Sequence, residues 1–73
     1  MKYLVIEIQT NSDGTVGNLI SSYDNRNEAE RQYYLILAAA AISQLPVHTA
    51  VLLTNDGRLL EHHAYKRAED EEE

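Results

Sequence analysis

The sequence predicts an α+β domain of ββαββ type: a four-stranded antiparallel sheet in the order 2-1-3-4, with one helix packed on one face. Two observations carry that prediction. Short apolar, β-branched runs come in two pairs, each joined by a turn cluster containing Asp-Gly. Between the pairs lies a single stretch of helical periodicity, with Asn-rich capping signals before it and Pro46 after it.

Tyr3-Leu4-Val5-Ile6-Glu7-Ile8 reads as the first strand, apolar on both faces and so suited to the middle of a sheet. Asn11-Ser12-Asp13-Gly14 follows, residue types that cap their own turns or tolerate positive φ. Residues 15–23 form a weaker second strand, diluted by Gly17 and Asn18 and carrying Ser21 and Ser22, which suit an edge. The helix starts after Asp24, where Asn25 with Glu28, or Asn27 with Glu30, has capping-box spacing. Ala29, Tyr33, Ile36, Leu37 and Ala40 form its apolar stripe to about Ser43, and Pro46 ends it. Residues 47–54 are the third strand, and residues 58–66 the fourth. Between them Asp56-Gly57 reads as a two-residue hairpin turn. A right-handed crossover that sets the third strand beside the first places the two most apolar strands in the centre.

Composition limits what this domain can be. Seventy-three residues make one small domain, residues 1–67, which buries only about 60% of its unfolded surface and depends on supplementary stabilisation. There is no cysteine, hence no disulfide and no thiolate metal site, and association becomes the supplement to expect. No apolar run approaches the ~20 residues a bilayer requires, and the N-terminal stretch has no signal-peptide core. A cytoplasmic protein is expected. The formal net charge of −6 is concentrated: Glu69, Asp70, Glu71, Glu72 and Glu73 are five of the twelve acids, leaving seven against six bases. Residues 68–73 are expected to be a disordered acidic tail, and the body is nearly neutral.

The strands carry more apolar surface than one helix can cover. With a two-residue turn at Asp56-Gly57, one face holds Val51, Leu53, Leu60 and His62. The other holds His48, Ala50, Leu52, Leu59, Glu61, His63 and Tyr65, a set too apolar to face water. The helix is similarly rich, with Tyr34, Ala38, Ala39 and Ala41 beside or behind its stripe. A homodimer is expected, with Tyr3, Val5, Tyr34, Ala38, Ala41, Leu52, Leu59 and Tyr65 as candidate interface residues.

Catalytic chemistry is poorly represented. No nucleophile elbow, phosphate-binding glycine loop or HExxH motif is present, so no catalytic residue and no cofactor is assigned and an enzyme is not expected. His62 and His63 are adjacent on a strand and point to opposite faces. His48 and His63 could share a face with Glu61 and Tyr65, a set able to hold zinc, but nothing in the spacing demands it; surface histidines on an edge strand are the favoured reading and no metal is assigned. The scattered bases, Arg26 and Arg31 among them, make no phosphate footprint, and no direct nucleic-acid binding is expected.

The opening Met1-Lys2-Tyr3-Leu4-Val5-Ile6-Glu7-Ile8-Gln9-Thr10, the stretch Asn27-Glu28-Ala29-Glu30 leading to Tyr33 and Leu37-Ala38-Ala39-Ala40-Ala41, and Pro46-Val47-His48-Thr49-Ala50-Val51-Leu52-Leu53 resemble small uncharacterised proteins encoded by phages and mobile elements of anaerobic gut bacteria. The resemblance spans residues 1–66 and implies a phage or mobile-element setting without any catalytic residue. The expected function is that of a non-enzymatic phage-type accessory or structural protein acting through protein–protein contacts as a homodimer, with a host or phage protein as a further possible partner. An alternative is an inhibitor of a host defence nuclease, its acidic tail mimicking nucleic acid and steering the encounter. A small metal-binding domain is the third reading.

Overall fold

The computed structural model describes residues 1–67; the acidic tail expected over residues 68–73 lies outside the described residues. The elements are β1 (Tyr3–Thr10), β2 (Val16–Tyr23), α1 (Arg26–Ala41), β3 (Val47–Thr54) and β4 (Leu59–Lys66). They form one antiparallel sheet in the order β2-β1-β3-β4, as the sequence predicts. None of the helices among the described residues is long and apolar enough to cross a membrane.

The helix begins where its cap dictates. Asn25 is extended (φ −121°, ψ 128°), and its side-chain oxygen accepts from the Asn27 and Glu28 amides at 2.7 and 3.4 Å. Two donors that the first turn would leave unpaired are thereby satisfied. At the other end Arg67 Nη2 donates to the Ala40 and Ala41 carbonyls at 2.9 and 2.6 Å, placing a cation on the negative end of the helix dipole.

Both hairpins use the same loop. Asn11 N donates to Thr15 O (2.8 Å) and Gly14 N to Asn11 O (2.9 Å); Thr54 N donates to Arg58 O (2.9 Å) and Gly57 N to Thr54 O (2.9 Å). Gly14 and Gly57 have φ of 92° and 93°, the left-handed region that a side chain disfavours. Three residues therefore span each turn, and the two-residue turn expected at Asp56-Gly57 is corrected. A type I′ turn needs positive φ at both central residues, and no residue other than glycine adopts it here. The longer loop pairs Leu53 with Leu59, and a bulge between Leu52 and Leu53 then restores the pairing of Leu52 with Glu61.

That bulge alters the faces expected for β4. Leu59 lies opposite Leu53 and is 53% exposed, whereas Leu60 packs against the core. The core sits between α1 and one sheet face: Val5, Ala29, Tyr33, Ile36, Ala50 and Leu52, flanked by Tyr3, Tyr23, Leu37 and Leu60. The small side chains of Ala29, Ala40 and Ala50, all fully buried, let helix and sheet approach closely.

Candidate interaction surface

Strand alternation and register place the side chains of each sheet face in transverse rows. On the side away from the helix these are Ser22, Leu4, Leu53 and Leu59; then Ile20, Ile6, Val51 and His62; then Asn18, Ile8, Thr49 and Ala64; and last Val16, Thr10, Val47 and Lys66. Most of these residues are apolar, and Lys66 at one corner carries the one permanent charge. Val16, Ile20 and Leu59 are each more than half exposed. Nothing among the described residues covers this face.

The candidate interface residues divide differently from expectation. Val5 and Leu52 are essentially fully buried beneath α1 and have no surface to offer. Tyr3 flanks the same core. Tyr65 is on the helix side, paired with His48, its ring edge-on to His63 and under the Arg67 guanidinium. Tyr34, Ala38 and Ala41 are exposed on the helix, and the Tyr34 hydroxyl donates to Glu61 Oε1 at 3.0 Å. Of the eight, Leu59 alone belongs to the open face. The set His48, Ala50, Leu52, Glu61, His63 and Tyr65, expected to be uncovered, is the helix-side face. The apolar face left bare is the other one. Alternating hydrophobicity marks both faces of these strands and does not say which the helix takes. The electrostatic tail Glu69, Asp70, Glu71, Glu72 and Glu73 lies outside the described residues.

The histidines separate. His48 is buried; its Nε2 donates to Glu7 Oε2 at 2.7 Å, and Gln9 Nε2 donates to the same oxygen at 2.8 Å. Burial pushes the Glu7 carboxyl up, but the bonds from His48 and Gln9 and the His48 charge together hold it below its ordinary value. His62 is on the open face and His63 on the helix side, as adjacent strand residues must be. Among the described residues no three His, Asp or Glu side chains converge to hold a metal ion. The sequence alone does not reveal the Glu7–His48 pair, although the β1–β3 register that sets Gln9 beside His48 also puts Glu7 diagonally across from it.

Comparison with family models, with curated proteins and with solved structures finds no match.

Proposed function

We propose that this protein is a non-enzymatic contact protein that works as a homodimer, its open sheet face meeting the same face of a second copy. The observation that carries the reading is the uncovered face centred on Ile6, Ile8, Val51 and Leu53. Four strands about 4.8 Å apart, each eight residues long with a rise of about 3.3 Å, give a projected face of roughly 500 Å². Two such faces reach about 1,000 Å², and side-chain relief raises the accessible area toward the range of stable complexes. Charge favours a second copy as the occupant. A two-fold axis sets this face against its own image, and the middle of the face carries no charge to repel that image. Sheets stack face to face at about 10 Å, so the dimer is a β-sandwich with a helix on each outer side.

The small core supports the same reading, because a domain of this size gains from a second buried layer. The phage-type accessory or structural role implied by the sequence resemblance belongs to this proposal. Sedimentation velocity across the micromolar range tests it. A dimer with concentration-dependent melting is the expected result, and a monomer throughout with an invariant melting temperature overturns it.

A further inference from the structure

We propose that the pocket between β1 and β2 on the helix side binds the ammonium end of an alkyl chain, as carried by a small amine or a lysine side chain. The pocket is lined by Glu7, Gln9, Gly17, Asn18 and Leu19 and has a volume of about 290 Å³. It lies on the opposite side of the sheet from the dimer surface, so the inference does not rest on the homodimer.

Three features converge there. The first is a carboxylate with one oxygen to spare. His48 and Gln9 both donate to Glu7 Oε2, and Oε1 has no donor among the described residues. The two donors fix the carboxylate and favour its charged form, while no lysine or arginine pairs with it among the described residues.

The second is Gly17. It lies within β2, opposite Gln9, in a register without a bulge. Its φ is not in the left-handed region, and a Cβ added to it would meet nothing within 4 Å. Neither turn geometry nor crowding by its own fold requires glycine, which weakens a strand. The remaining use of glycine in a strand is to let something else come close.

The third is Leu19, which pairs with Glu7, lines the pocket and is 68% exposed. An apolar wall beside a fixed anion suits an alkyl chain ending in a cation. A metal ion would find too few oxygen ligands. An anion would meet the Glu7 charge, and a neutral alkyl group would leave Glu7 Oε1 without a donor.

Titration followed by backbone amide resonances tests the assignment, using n-butylammonium chloride, N-acetyl-lysine N-methylamide and neutral n-butanol as probes. Butylammonium is expected to shift the Gly17 and Leu19 resonances saturably, and n-butanol is not. Glu7→Gln is expected to weaken binding about tenfold or more, the effect of losing a charged hydrogen-bond partner. Gly17→Val fills the pocket with a strand-favouring side chain and is expected to abolish binding without lowering the melting temperature. It decides the matter if Glu7→Gln fails to fold. Equal binding of the blocked lysine supports the proposal with a protein side chain as the source; binding of butylammonium alone supports it with a free amine. Equal saturable shifts from n-butanol, no saturable shift from either amine, or unchanged affinity in Gly17→Val overturns it.

Discussion

Ile6→Lys is the sharpest perturbation of the proposed dimer. Ile6 stands mid-strand on the open face, between Ile20 and Val51, half-buried by its in-plane neighbours. In the single domain the new ammonium reaches water from an uncovered face, so the melting temperature at concentrations that favour the monomer should hardly change. In the sandwich each copy loses about 1 kcal/mol of isoleucine burial, scaled down because the side chain is already half covered. Each also brings an ammonium into an apolar contact, at a cost of at least about 2 kcal/mol after snorkelling. Two-fold symmetry doubles both effects to about 6 kcal/mol, which weakens association roughly ten-thousandfold. Sedimentation velocity should then show only monomer at concentrations where the parent protein is dimeric. A variant that sediments and melts as the parent does, with the same concentration dependence, would refute the face-to-face arrangement.

Three further outcomes follow from the packing and the charges. Asn25→Ala should cost about 1 kcal/mol by removing the helix cap, lowering the thermal midpoint by about 4–8 °C. Arg67→Ala should cost about 2 kcal/mol, because one guanidinium nitrogen serves the last two helix carbonyls, and hydrogen exchange should quicken first in the final helical turn. Glu7 has a folded-state pKa below its ordinary 4.5, so its stabilising contribution is complete above that value and declines as pH falls through the folded-state pKa. Glu7→Gln should therefore flatten the acid limb of a stability-against-pH curve, leaving, among the described residues, the exposed Asp13, Asp24 and Asp56, whose pKa values are also depressed. An acid limb of undiminished slope would show that Glu7 is not its source.

The span of β3 and the Asn25 cap were legible because each is written locally, in a run of residue types or a capping spacing, and strand order because the crossover rule and the two most apolar strands agree on the centre of the sheet. The face covered by the helix was not. Val5 and Ile6, like Val51 and Leu52, are adjacent and equally apolar, and nothing in a period of two distinguishes the covered partner from the bare one. The crossover between β2 and β3 decides it, in three dimensions. The loop at Asn55-Asp56-Gly57 is one residue longer than Asp-Gly suggests for a related reason: Asp-Gly suits a two-residue turn and also the end of a three-residue one. The φ of Asp56 separates the two. The Glu7–His48 pair is forty-one residues apart in the chain, visible once the β1–β3 register is known.

The bulge in β4 has a consequence for how this small core is filled. An alternating strand delivers every second side chain inward, yet Leu60 packs on the core while its neighbour Glu61 also faces the helix side and accepts from Tyr34. The inserted residue thus gives the interior one more aliphatic group than an alternating strand of this length allows. Removing Leu60 from the chain would leave Leu59 opposite Leu53 and Glu61 opposite Leu52, with the ladder intact and a void beneath the helix. The position is dispensable to hydrogen bonding and indispensable to volume. Length variation in this hairpin would therefore be felt as looser packing around Tyr33 and Leu52, with the strands still aligned.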